Sequence, residues 1–213
     1  VAVRVQTTVL SVEGSAAIVR GSDTAAHPLA VGFHPRAGDS IWTEAASHTS
    51  LALLPNALAT LEPHTQIKLG TLSLAKDGNE TGDDAMLRRN AHLQLDGGAM
   101  FVLQERRDVQ AEPALVIETA HGMLVSSFDC LLRIESSDTE TRVLCVTGTI
   151  EYRPKNAAPV QIEPGYVGQW SKDTGAMFAA DTDAGAQTEI SMALDVEGKL
   201  RALRSKLGDV LPR

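Results

Sequence analysis

The chain has 213 residues, an apolar fraction of 43% and an aromatic fraction of 4%, so its core must be filled mainly by Val, Leu, Ile and Ala. Acidic residues outnumber basic ones 27 to 19, giving a formal charge of −8. No Lys/Arg cluster stands out and a phosphate backbone would be repelled over most of such a surface, which excludes nucleic acid as an expected partner; the absence of an apolar run of about 18 residues excludes an expected helical membrane span.

The chain opens at Val1 without an initiator methionine or leader, which reads either as a late start or as a mature exported protein. Val3, Val5, Thr7 and Val9 alternate with polar or small residues and predict a first strand, which Glu13-Gly14-Ser15 turns into a second at 16–20. Residues 21–37 read as a loop with one short apolar piece at 29–33. A new β group starts at 38–43. Two apolar runs, 51–54 and 58–61, flank Pro55-Asn56, a strand–turn–strand signal with turn chemistry between them. Strand-like pieces follow at 65–69 and 71–75, and 76–90 reads as a solvated loop. Further strands are predicted at 92–95, 99–104, 114–119, 123–126, 128–134, 142–146, 149–152, 160–162 and 166–170. Many short strands between polar turns predict an all-β domain over 1–171.

Three stretches repeat one pattern: Leu10-Ser11-Val12-Glu13-Gly14, Leu93-Gln94-Leu95-Asp96-Gly97 and Leu144-Cys145-Val146-Thr147-Gly148. Four residues past each glycine stands a large side chain, Ile18, Phe101 or Tyr152. Period two up to a glycine and extended chain beyond it describe strand, tight turn or bulge, strand.

Residues 172–187, rich in Ala, Gly, Asp and Thr, read as a linker, and 188–213 as an amphipathic helix. Met192, Val196, Leu200, Leu203, Leu207 and Leu211 form its apolar stripe, Gly198 weakens it, and Gly208 with Pro212 ends it. The stripe either caps the open face of the β domain, the favoured alternative, or is offered to a partner.

The two cysteines, Cys130 and Cys145, flank a polar turn read at Ser137-Asp138. In that hairpin register Cys130 faces Cys145, Leu132 faces Val143 and Ile134 faces Thr141, which predicts a disulfide and with it an oxidising compartment. Two buried free thiols are the alternative.

Catalytic signatures are absent: there is no Gly-x-Ser-x-Gly elbow, phosphate loop, His-Glu-x-x-His or Cys-x-x-Cys, and the six histidines are scattered without ligand spacing. No enzyme, cofactor or metal is expected. Two acidic loops, 77–84 and 181–185, fall short of an EF-hand and read as solvated; Asn79-Glu80-Thr81 within the first is also a glycosylation sequon. Among aromatics, Trp42 is expected in the core, while Tyr166 and Trp170, on one face of the last strand, are candidate partner-binding residues together with Met192, Val196, Leu200, Leu203 and Leu207 of the helix.

From Gly38 to Trp170 the chain resembles the FecR domain, an extracytoplasmic module of iron-uptake sensors and other exported bacterial proteins. The resemblance rests on Gly38-Asp39-Ser40-Ile41-Trp42-Thr43, the paired apolar strands around Pro55-Asn56, the unit from Leu93 to Val102, and the closing run from Arg142 to Tyr152 followed by Val160-Gln161-Ile162-Glu163-Pro164-Gly165-Tyr166. The chain departs from the family pattern at Ser126-Ser127-Phe128-Asp129-Cys130, where an Arg-Gly-Thr-x-Phe-like turn is usual, and at Pro55-Asn56, where Asp-Gly is usual. What the resemblance implies is two stacked, solenoid-like β-layers, located in the periplasm or at the cell surface and used for protein contacts: a noncatalytic subunit of an envelope assembly, hetero- or homo-oligomeric, or else a signal relay for a membrane-anchored regulator. A domain binding envelope carbohydrate through Tyr166 and Trp170 is a third expectation.

Overall fold

The computed structural model describes residues 2–4, 7–21, 23–54, 56–76, 86–105, 112–126 and 129–207. It is mostly β, one open sheet bent into two layers and backed by a single C-terminal helix. The first layer runs β4 (Ala26–Pro28), β3 (Ala16–Val19), β5 (Ser40–Thr43), β8 (Gln66–Lys76), β9 (Met86–Gln104), β10 (Glu112–Glu118), β11 (Gly122–Ser126), β14 (Ile150–Pro154) and β15 (Val160–Ile162). Beside the far half of β8 lies β1 (Ala2–Arg4). The second layer runs β2 (Thr8–Glu13), β6 (His48–Leu54), β7 (Ala57–Leu61), the second half of β9, β12 (Cys130–Ser136), β13 (Thr141–Thr147), β16 (Tyr166–Trp170) and β17 (Gly175–Ala179). Among the described residues all pairings are antiparallel except β9 with β10.

The repeated glycine units are the corners of this winding. β2 passes to the first layer through Gly14, and β13 passes to β14 through Gly148. The middle unit lies inside β9, whose residues before Gly97 pair in the first layer and whose residues after Gly98 pair in the second. Here the positive φ falls on Gly98, at 89°, one residue later than the pattern places the glycine. Its missing Cβ is required twice over: the backbone is left-handed, and a Cβ would stand 2.5 Å from the Thr65 Cα. At Gly148 (φ 79°) a Cβ would stand 2.0 Å from the Asp129 carbonyl. Ala46, His64 and Gly165, also at positive φ, mark three more crossings.

Alternation along each strand then sorts side chains into two cores. Between the layers lie Ile18, Ile41, Ile67, Leu93 and Tyr152 from the first and Leu51, Leu61, Val102, Ile134 and Trp170 from the second. The opposite face of the second layer presents Leu10, Leu58, Phe101 and Leu131, and the helix α1 (Ala184–Leu207) covers it. That is why β7 is buried at every position.

Several expectations are corrected. The hairpin loop is Ser137–Glu140, closed by the Ser137 N–H donating to the Glu140 carbonyl at 2.8 Å, so its centre lies one residue beyond the Ser137-Asp138 turn expected from sequence. Leu132, not Cys130, therefore opposes Cys145, with a bulge between Leu131 and Leu132. Both cysteines point into the inter-layer core as the alternation requires, but as free thiols. Residues 86–90, read as loop, belong to β9, and the interval read as linker holds β17, a 3-10 turn (Ala180–Thr182) and the start of α1. Trp42 lies on the outer face of β5, half-exposed, because Ile41 and Thr43 take the inward positions; its indole N–H donates to Glu44. The 77–84 acidic loop with its sequon lies outside the described residues.

Candidate protein-interaction site

The helix is fixed to its own sheet by packing and by charge. Leu200 and Ala193 are fully buried and Val196 and Leu203 half-buried against Leu58, Phe101 and Leu103, while Ala186 and Ile190 meet Leu144 and Val167. Met192 stays 41% exposed, because Ala193 occupies the seam. The side chain of Leu207 is outside the described set. Val196, Leu200 and Leu203, candidates for partner contact, are thus taken up by the chain's own sheet.

Two arginines on that sheet face hold the first half of the helix. Arg133 of β12 donates to Glu62 at 2.8 Å, to Glu135 at 2.8 Å and to Glu189 at 3.3 Å. Arg142 of β13 binds Glu189 and, at 3.1 Å, Asp183. Burial opposes the Arg133 charge, but the three carboxylates outweigh it and hold its pKa above the ordinary arginine value. Asp183 also caps the helix, accepting from the Gly185 N–H at 2.8 Å. That bond, with further help from the Ala186 N–H and Arg142, keeps its carboxyl below the usual range. The 181–185 loop is therefore a helix start. Toward the other end, Arg201 and Arg204 reach Glu105.

Trp170, the second aromatic candidate, is a core residue, 5% exposed. Its indole stacks on Tyr152 with centroids 4.0 Å apart and lies so close over Gly168 and Gly175 that a Cβ at either would stand 2.0 and 2.5 Å from it. The Tyr152 hydroxyl lies 3.1 Å from Thr119 Oγ1, which Thr141 meets at 3.0 Å, with His121 Nδ1 beyond at 3.3 Å from Thr141. Burial raises the Tyr152 pKa against those hydroxyl contacts. The buried Cys130 and Cys145 thiols are likewise pushed up by burial, to about 11 and about 12. These are packed, neutral groups. Among the described residues no three His, Cys, Asp or Glu gather as metal ligands.

Beside Trp170 the layer ends in β17, and there its surface differs from its other margins. The free edge of β2 is covered by the 32–35 loop, through Val9 N–H to Phe33 O at 3.0 Å, Gly32 N–H to Val9 O at 2.9 Å and Thr7 N–H to Pro35 O at 3.1 Å. In the first layer, β4 is three residues long and contains Pro28, and β15 is three residues between Pro159 and Pro164. Short strands, prolines and covering loops are how edges are kept from pairing. β17 has none of these: Gly175-Ala176-Met177-Phe178-Ala179 carries no charge and no proline.

The register says which of its backbone groups are free. Ser171 N–H donates to Thr174 O, and Ala180 N–H to Gly165 O, so the bonded pairs with β16 fall at 174, 176, 178 and 180. The N–H and C=O of Gly175 and Met177 and the N–H of Ala179 point away from the sheet, while the Ala179 C=O accepts from the Thr182 hydroxyl at 2.6 Å. On the inter-layer side of this edge Met177 is 48% and Tyr166 41% exposed, two of the large apolar side chains that the fold leaves outside. Beneath the hairpin tip a cavity of about 520 Å³ is lined by Trp170, Gly175, Met177, Val160, Pro154 and His121, among others. Of the sequence candidates, then, Tyr166 alone sits at this edge, exposed. Met177 was not singled out from sequence; an uncharged apolar run inside an otherwise polar stretch is the signal that marks it.

No family model matches the sequence, and no curated protein matches it. Two solved structures of a "putative anti-sigma factor" from Parabacteroides distasonis ATCC 8503 are similar to it, at 14% identity with a TM-score of 0.47 and at 15% with 0.46; each match covers 65% of this chain and 57% of the other. The chain thus spans a little over half the length of those structures.

Proposed function

We propose that this protein is a noncatalytic interaction module of an exported, cell-envelope assembly, and that it meets its partner through the open edge of β17. The observation that carries this reading is the contrast between edges: β2, β4 and β15 are covered or interrupted, while β17 turns both backbone groups of Gly175 and Met177 and the Ala179 N–H to the outside, beside the exposed Met177 and Tyr166 side chains. Exposed aromatic and methionine side chains are also the types enriched at protein interfaces. The helix, in this reading, belongs to the scaffold. The envelope location rests on the FecR-like resemblance; the free thiols lend it no support.

A photocrosslinking amino acid at Tyr166 or Met177, in cells that make the protein natively, is expected to give a discrete adduct in the envelope fraction. The same group at Leu194, exposed on the outer side of the helix, is expected to give none. Adducts at Leu194 alone would overturn the assignment of the edge, and adducts found in cytosol would overturn the location.

A further inference from the structure

We infer that the occupant of this edge is an extended segment of a second protein, added as a strand, with a bulky apolar side chain seated in the cavity beside Trp170 and basic residues near Ala179. The inference rests on the interaction reading above and adds the chemistry of the partner. Strand addition combines backbone hydrogen bonds, which give affinity, with pockets for alternate side chains, which give specificity. Both parts are present. Gly175 and Met177 turn both backbone groups outward and Ala179 its N–H, and a residue paired with Gly175 or Met177 would carry its side chain on the Trp170 side of the sheet, where the cavity of about 520 Å³ opens.

Charge selects the rest. Around the cavity Lys155 and Lys172 are balanced by Asp138 and Asp173. At the other end of β17 stand Asp181, just past Ala179, and Glu163, whose backbone carbonyl accepts from the Tyr166 N–H and whose carboxylate accepts from the Thr149 hydroxyl at 3.2 Å; Asp183 is engaged by Arg142. That end is acidic and calls for Lys or Arg. A second copy of this chain fits poorly. Two-fold pairing centred on Met177 would bring Asp173 of each copy toward Asp181 of the other, twice, between chains of formal charge −8.

The test uses the full chain and three labelled peptides read by fluorescence anisotropy. Each has a five-residue valine/threonine strand: one with central phenylalanine and lysine pairs at both ends, one with glutamate pairs instead, and one with lysine pairs but central alanine. Lysines at both ends make the result independent of strand direction. The first peptide is expected to bind about tenfold more tightly than either of the others and to weaken as salt is raised.

Ala179→Pro removes one outward N–H at a residue whose φ of −72° suits proline, and it is expected to abolish binding with unchanged circular dichroism. Should that variant not fold, Met177→Lys keeps the backbone, charges the edge and removes a cavity wall; it is expected to weaken the first peptide to the level of the second. Equal binding of all three peptides, lost in Ala179→Pro, would overturn the partner chemistry and leave the edge reading standing. Binding indifferent to both variants would overturn both. No saturable binding of any peptide would overturn strand addition, as would a dimer of the wild-type chain by light scattering that Ala179→Pro dissolves, which would make the occupant a second copy.

Discussion

Arg142 of β13 clamps Glu189 of the helix, and its other terminal nitrogen holds the capping carboxylate of Asp183 at 3.1 Å. One guanidinium thus fixes both where the helix begins and how it lies on the second layer. Arg133 repeats the grip on Glu189 from the neighbouring strand. Such partly buried, multiply bonded pairs stabilise more than isolated surface ones.

Glu189→Ala leaves two arginines short of an acceptor in a half-buried site and is expected to cost on the order of 1–3 kcal/mol in urea denaturation. A double-mutant cycle with Arg142→Ala should show a favourable coupling energy. Additive effects would mean that the helix is held by its apolar seam alone.

The glycines at positive φ divide into two kinds. Gly148→Ala meets both a positive φ and the Asp129 carbonyl, whereas Gly32→Ala meets the same φ (78°) in open space. The first is expected to lower stability by well over about 2 kcal/mol and the second by about 1–2 kcal/mol. Equal costs would show that backbone conformation, not close approach, sets the need for glycine at Gly148.

The thiols make a prediction about pH. Both folded-state pKa values lie above the ordinary 9.0, at about 11 for Cys130 and about 12 for Cys145. Below pH 9 both states keep the protons and this contribution is intact. As pH rises from 9 toward 11–12 the unfolded chain ionises first, so stability falls over that window. Cys130→Ala/Cys145→Ala should flatten this part of the stability–pH curve. Iodoacetamide at neutral pH is expected to label neither thiol in the folded chain and both in denaturant, without reductant; failure to label in denaturant would indicate the disulfide.

Local alternation made the β class and the facing of Cys130, Leu132, Ile134, Val143 and Cys145 legible in the sequence. Register was not, because it depends on the loop length around Ser137–Glu140 and on a bulge at Leu131, neither of which alternation encodes. The glycine units announced turns; that the turns change layers is a long-range property of pairing. A stripe through the large side chains of the helix runs over Met192, whereas a helix lying close on Leu58 and Phe101 takes a small residue there, Ala193. β17 is not legible because five small and apolar residues between acidic, Gly- and Thr-rich flanks resemble a linker. An edge strand bonded on one side needs little of the patterning that marks a buried one.

The central claim is that β17 is open in the isolated protein. Amide hydrogen exchange followed residue by residue by NMR tests it most directly. The account expects alternation: fast exchange at Gly175, Met177 and Ala179, slow exchange at Ala176 and Phe178, and slowing of the Met177 amide when the lysine-flanked peptide is added. Slow exchange at all five in the free chain would mean that the edge is already covered, and would contradict it.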